Sequence, residues 1–299
     1  MRGVLGTHAG AKQRVLIGYW SYSTQLRSCV NKAWLRNDVN ESKYYEQWVS
    51  ASQNTLDNPR ALAIQTGKIS PNPAFVFIAG YQAAIRATFA ELKQVGWIAY
   101  AASEDRSSES PKPGVTHRDG CLFGFKTWVA ASKQINTLVV KVGRGPEAFY
   151  AQLNNLLASP NEDALDKRPE GLTITTKTDP RFLPDISQGI VEFDQTPFKM
   201  VADVSRVKQF GTYEPYYIYV SFLASLVAHQ PELSETANEV LNAHPNSESL
   251  AEMDLAVQGL IEKLNAENWG YALAGDNWEI DQRLYTMYSP MIQKKWSPN

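Results

Sequence analysis

The sequence predicts an α+β protein in which a helical region is followed by a β region and then by a second helical region. Three observations carry this reading. Residues 13–95 read mostly as helix, with apolar side chains at helical spacing. From Val95 to Phe198 the apolar runs are short, β-branched or aromatic, and bounded by Gly, Pro, Asp and Ser. After about Glu214 long apolar runs return. The corresponding boundaries are 1–94, 95–200 and 201–299.

In the first region Gln13–Val30 and Ser42–Ser52 read as helices, and the polar stretch Gln53–Arg60 follows the second. Asn72-Pro73 opens a further helix: Asn is a good N-cap, and the preset φ of Pro suits the first helical position. Phe75, Ile78, Ala79, Gln82, Ile85 and Phe89 keep the helical period to about Leu92. In the β region Val95–Ala102 is a strand. Asp119-Gly120 marks a tight hairpin turn between Val115–His117 and Cys121–Phe125. Cys121–Val129 and Asn136–Val142 are strand runs separated by a short polar turn. Pro146–Ser159 reads as a helix and Asn161–Glu170 as a loop, an excursion before strands at Gly171–Thr176 and Gly189–Phe193. In the last region Tyr216–Ala228 is apolar enough for a buried helix, and Ser234–Ala243 is a shorter one. Ser249–Ala272 has the clearest helical pattern. Ser249 and Glu252 form a capping-box pair, Met253, Val257, Leu260, Ile261 and Leu264 line one face, and Gly275 is a stop. Gln282–Lys294 is the last expected helix.

Composition bounds the function. At 299 residues, 43% hydrophobic and 20% charged, the chain is long enough for an ample core and has an ordinary globular make-up. A net charge of -2 argues against nucleic acid as a partner. Cys29 and Cys121 make neither a disulfide framework nor a zinc quartet, so a reduced, cytoplasmic setting is expected. No signal-peptide core is evident, and no run reaches the roughly 20 apolar residues of a membrane span, so no membrane partner is expected. His8, His117, His229 and His244 are scattered without ligand spacing, which gives no metal site. Neither a Gly-x-Ser-x-Gly elbow nor a Walker loop is present. Gly143-x-Gly145-x-x-Ala148 after Leu138–Val142 matches the dinucleotide fingerprint in outline. The acidic strand end that should follow about 20 residues on is instead the polar Pro160–Ala164, so this is a Gly-Pro turn into a surface helix.

The most informative stretch is Asp119–Val142, DGCLFGFKTWVAASKQINTLVVKV, with Gly124-Phe125-Lys126-Thr127-Trp128 at the end of its first strand run. Upstream stands VGWIAYAA at 95–102, followed by Ser103-Glu104-Asp105. Downstream, EGLTITTKTDPRFLPDISQGIVEFD at 170–194 has the form of two closing strands. This order resembles the middle β-domain of acyl-CoA dehydrogenase-like flavoproteins. The resemblance implies an N-terminal helical domain, a middle β-barrel-like domain and a C-terminal helical bundle, with FAD between the last two and a homo-oligomeric assembly. It also implies that Trp97, Tyr100, Ser103, Lys126, Thr127 and Trp128 bind the cofactor. The implied substrate is a small-molecule acyl thioester, whose Cα proton passes to a carboxylate while the Cβ hydride passes to the flavin. Two carboxylates stand where members hold that base: Glu214, at the entrance of the first C-terminal helix, and Glu279, in Asn277-Trp278-Glu279-Ile280. An acidic residue in a first helical turn is also favoured by the helix dipole alone. The chain departs from the family at Ala130, where Thr or Ser is usual, and in the loop after Ala102, which lacks the family's Pro and Gly. Those departures carry the alternative expectation, a non-catalytic binding or assembly protein that keeps the fold and has lost flavin binding.

Overall fold

The computed structural model describes residues 39–106, 109–156, 169–180 and 182–296. The expected helix at Gln13–Val30 and most of the loop at Asn161–Glu170 lie outside them. The order is helices α1 (Glu41–Ser52), α2 (Pro59–Lys68) and α3 (Pro73–Thr88), then strands β1 (Trp97–Ala101), β2 (Thr116–Arg118), β3 (Cys121–Ala130), β4 (Ile135–Val142), β5 (Phe149–Leu153), β6 (Leu172–Thr176), β7 (Gln188–Pro197) and β8 (Lys199–Asp203). Helices α4 (Val207–His229), α5 (Pro231–Ala243), α6 (Leu250–Ala266), α7 (Gly270–Ala274), α8 (Trp278–Thr286) and α9 (Ser289–Trp296) follow. The predicted helix–β–helix order is therefore present among the described residues.

The N-terminal helices begin where short-range chemistry places them. Asn40, Asn58 and Asn72 each cap a helix, accepting from the backbone N–H of Lys43, Ala61 and Phe75 at 3.0, 3.1 and 3.1 Å. Pro59 and Pro73 follow the second and third caps. Helix α3 is buried along almost its whole length, and it stops at Thr88 rather than near Leu92. It lies against the edge strand β1 and takes the place of a neighbouring strand there. Gln82 donates to the Ile98 carbonyl at 2.8 Å and accepts from the Ile98 N–H at 2.9 Å. The Tyr81 hydroxyl does the same for Tyr100, at 3.0 and 2.7 Å. Two polar side chains thus satisfy a buried strand edge that would otherwise be left unpaired.

The β region forms two four-stranded sheets, ordered β1-β4-β5-β8 and β2-β3-β7-β6. No closed barrel is formed among the described residues, which corrects the barrel-like expectation. Strands β1 and β4 are parallel, and the remaining neighbours are antiparallel. The Asp119-Gly120 hairpin is as expected: φ is +52° and +78° at the two residues, the left-handed pair that a two-residue turn between twisted strands needs. After β3, Ala131 at φ +51° turns the chain so that β4 joins the other sheet. Over its described part, 146–156, the helix expected at Pro146–Ser159 is replaced by a 3₁₀ turn at Gly145–Glu147 and strand β5. Gly143 and Gly145, at φ +72° and +69°, reverse the chain there, and β5 finds partners on both sides in β4 and β8. That strand also removes the dinucleotide fingerprint, which requires a helix after its glycines. Strand β8 was not anticipated.

Three corrections concern the C-terminal region. Helix α4 starts well before Tyr216 and contains Pro215. The Ser249–Glu252 capping box does not form: the Ser249 side chain makes no cap bond, and a 3₁₀ turn capped by Asn246 precedes α6. The long segments expected at Ser249–Ala272 and Gln282–Lys294 are each split. Asn268 at φ +56° ends the first, and Pro290, which belongs in a first helical turn, starts a new helix in the second. Gly275, expected as the stop of the Ser249–Ala272 helix, instead ends the short separate α7, at φ +54°.

Helices α3 and α4 meet through glycine. A Cβ added at Gly80 would lie 2.5 Å from the Ile218 Cα. Gly80→Ala is therefore expected to destabilise the protein by roughly 2–3 kcal/mol through overpacking. Gly259→Ala, in α6 with open space around it, is expected to stabilise by about 1 kcal/mol. Urea denaturation of the two variants checks both signs.

Candidate active site

Glu214 lies about two turns into α4 and immediately before Pro215. It is half-buried and makes no hydrogen bond or ion pair to any described residue. Burial pushes its carboxyl pKa up to about 7. Its charge acts on the hydroxyls of Tyr81, Tyr100 and Tyr288, whose pKa values are raised first by their own burial and then by neighbours that include Glu214. A raised carboxylate with no cation beside it among the described residues, set among neutral phenols, is a group able to take up a proton near neutral pH.

A continuous cluster of buried aromatic rings runs from the neighbourhood of this carboxylate to β3. Phe210, one turn before Glu214 on α4, packs on Tyr100 of β1 at 4.3 Å and on Tyr81 of α3 at 6.2 Å between centroids. Tyr81 stacks on Phe77 at 5.1 Å, and both meet Trp128 edge-on at 6.0 Å. On another side Trp128 stacks against Phe182 at 6.4 Å and 24°. The Trp128 indole N–H donates to Gln188 Oε1 at 3.1 Å. Spacings of four residues, 77 to 81 and 210 to 214, put each pair on one helix face.

The residues singled out from the sequence fall into three environments. Tyr100 and Trp128 join the aromatic cluster, Tyr100 within the core and Trp128 partly buried at its margin. Ser103 and Thr127 meet at the end of β1, where the Ser103 carbonyl accepts from the Thr127 N–H at 3.0 Å and from its hydroxyl at 3.3 Å. The Ser103 side chain is exposed and has no partner among the described residues. Trp97 and Lys126 are fully enclosed elsewhere. Trp97 sits among Tyr44, Tyr45 and Trp48 at 5.9, 5.0 and 6.4 Å. The Lys126 ammonium lies 3.2 Å from Glu104 Oε1, and burial lowers its pKa against the pull of that carboxylate. Glu279 is exposed at the start of α8 and accepts from the Tyr271 hydroxyl at 2.7 Å. None of the groups around Glu279 is shared with Glu214.

Tyr81, Tyr288, Phe210, Phe182 and Gln188 escaped the sequence reading. A signal for one of them was present: the polar pair Tyr81-Gln82 interrupts a thoroughly apolar helix, and buried polar groups must find partners. A second raised carboxylate was also missed. Asp281 is wholly buried, and burial, opposed by the Leu183 N–H and aided by Asp185, pushes it up to about 7.

The arrangement of helices, two sheets and helices is an acyl-CoA dehydrogenase-like fold. FkbI, described as for biosynthesis of the methoxymalonyl extender unit of the polyketide immunosuppressant Fk520, superposes with a TM-score of 0.54 at 11% identity, covering 86% of this chain and 90% of that one. Glutaryl-coenzyme A dehydrogenase in its glutaryl-CoA complex gives a TM-score of 0.52 at 10% identity, with 83% and 80% covered. An FAD-dependent dehydrogenase gives 0.51 at 12% identity, with 80% and 81% covered. No protein-family model matches the sequence, and no curated protein matches it either. Among the described residues no helix is long and apolar enough to cross a membrane.

Proposed function

We propose that the chain is a flavin-dependent oxidoreductase that dehydrogenates an acyl thioester, with Glu214 as the base. The observation that carries this is the half-buried Glu214, unpaired among the described residues, beside a buried aromatic cluster that reaches Trp128. The shared fold with an FAD-dependent dehydrogenase and a glutaryl-CoA-bound dehydrogenase supports it. A flavin ring needs a flat apolar wall and polar groups at its rim. The partly buried Trp128 supplies a wall with Tyr100 in the core behind it, and the Ser103 hydroxyl, without a partner among the described residues, supplies a rim with Thr127, so these residues would hold the ring end of FAD. Trp97 and Lys126 support the two strands from within.

When bound, the flavin supplies the hydride acceptor. Glu214 takes the Cα proton, so the substrate loses one proton and one hydride and becomes an α,β-unsaturated thioester. A pKa near 7 leaves about half of the carboxylates ionised at neutral pH, each basic enough to act. Tyr81, Tyr100 and Tyr288, held neutral by burial, wall the carboxylate without competing for its proton. The assembly is a homo-oligomer in this reading.

A second reading, a binding or assembly protein without flavin, is favoured by two observations. Ala130 is buried and offers no hydroxyl, and the Lys126 ammonium is committed to Glu104. An absorption spectrum after incubation with excess FAD and desalting separates the two. Bands near roughly 370 and 450 nm, at about one flavin per chain, are expected. A colourless protein that retains no FAD would overturn the oxidoreductase reading.

A further inference from the structure

The segment from Phe182 to Gln188 joins Trp128 to two distant helices. At one end Phe182 stacks on the Trp128 ring, and Gln188 accepts from its indole N–H. Gln188 also donates to the carbonyls of Phe182 and Leu183, so one side chain ties the indole to the start of the segment. Leu183 is fully buried with φ at +52°, a conformation a leucine adopts only when its surroundings hold it there. Its N–H donates to Asp281 Oδ1 of α8 at 3.0 Å. A turn closes behind it, with the Ile186 N–H on the Leu183 carbonyl at 3.2 Å. The far end is held by Glu41 of α1, which accepts from the N–H and the hydroxyl of Ser187. Between the ends, Asp185 accepts from Asn72 at 2.9 Å, and Asn72 also caps α3.

We infer that Asp281 is a positioning residue for Trp128, acting through Leu183 and Gln188. Asp281 lies wholly buried, and its only hydrogen bond among the described residues is the one that fixes the left-handed Leu183. Among the described residues its other oxygen is buried without a partner, as is the hydroxyl of Tyr285 one turn further along α8. A carboxylate placed so expensively for a single backbone N–H is best explained by what that N–H controls. With Leu183 released, the carbonyls that orient Gln188 move, and Gln188 is the acceptor for the indole. Phe182, adjacent to Leu183, loses its seat on the ring at the same time. Asp281 thereby sets the tilt of the Trp128 ring. The consequence for flavin affinity rests on the functional reading above; the consequence for Trp128 does not.

The test labels the full chain with 5-fluorotryptophan, without added flavin, and assigns the Trp128 signal in the ¹⁹F spectrum by Trp128→Phe. Asp281→Ala is expected to shift that signal, whereas Asp281→Asn, which keeps an acceptor for Leu183, leaves it near the wild-type position. A folded Asp281→Ala protein with Trp128 unmoved would overturn the inference, and so would equal shifts in the Ala and Asn variants. Should Asp281→Ala not fold, Gln188→Leu cuts the link at the other end and leaves Asp281 in place. It is expected to shift Trp128 and not Trp278, and an unmoved Trp128 signal would again overturn the inference. In an FAD titration, Asp281→Ala is expected to bind roughly 3- to 30-fold more weakly than Asp281→Asn. If the wild-type chain binds no FAD, the oxidoreductase reading fails while the fluorine spectra still decide the role of Asp281.

Discussion

Glu214→Gln is expected to lower kcat/KM for flavin reduction by an acyl thioester by roughly 10²–10⁴-fold, the usual contribution of a positioned general base. Glu279→Gln is expected to stay near wild type, since Glu279 is exposed and engaged with Tyr271. Stopped-flow bleaching of the flavin band measures both. Because the base must be ionised, wild-type kcat/KM should rise with pH and level off above about 7. The same group makes a stability prediction with a definite sign. The carboxyl pKa is raised from 4.5 to about 7 on folding, so the folded state holds the proton more tightly. Stability is then highest below the unfolded value and falls as pH rises through 7. Glu214→Gln escapes that loss. It is expected to be more stable than wild type by about 2 kcal/mol above pH 7, after a discount for partial solvent contact, with the gap closing towards pH 5. Urea denaturation at several pH values reads the gap, and a constant difference would remove the case for a raised Glu214.

Asp254→Ala is expected to be the most damaging single change to the C-terminal helices, at about 3 kcal/mol or more. Asp254 is fully buried on α6 and accepts from Tyr219 of α4 at 2.7 Å, Gln258 at 3.1 Å, and Ser289 and Gln293 of α9 at 2.7 Å each. No cation pairs with it among these contacts, so neutral donors alone hold the carboxylate and in doing so join three helices. Removing it strands several donors at once. Gln258 and Tyr219 can fall back on the Tyr285 carbonyl, at 3.1 and 2.9 Å, and Gln293 on the Ala251 carbonyl at 3.0 Å. Those alternatives keep the expected cost from being larger. A Tm lowered by only a degree or so would show that the network is not a stabilising unit.

Much of the helix–β–helix order could be read from residues close together in sequence. The Asn-Pro start of α3, the Asp119-Gly120 hairpin and the Gly275 stop each depend on one or two residues whose φ preferences or caps act locally. Errors arose where a distant partner outweighed a local pattern. Phe149–Leu153 is a strand because β4 and β8 flank it, and the Ser249 cap is displaced by the turn that Asn246 holds. The two-sheet arrangement was likewise invisible, since nothing in Ala131–Gln134 says that β3 and β4 part company.

The site shows the same division. The residues of β1 and β3 and the carboxylate Glu214 stand out in the sequence because their types and order resemble a known pattern. Their environments do not. A pKa near 7 is made by burial, and the phenols on which the Glu214 charge acts belong to α3, β1 and the segment before α9, none of them its neighbours in sequence. Likewise Leu183 and Asp281, 98 residues apart, become one unit through a single hydrogen bond. Local chemistry chooses helix, strand and turn because those choices cost energy within a few residues. Which side chains lose their water, and which partners they then find, depends on how the whole chain packs.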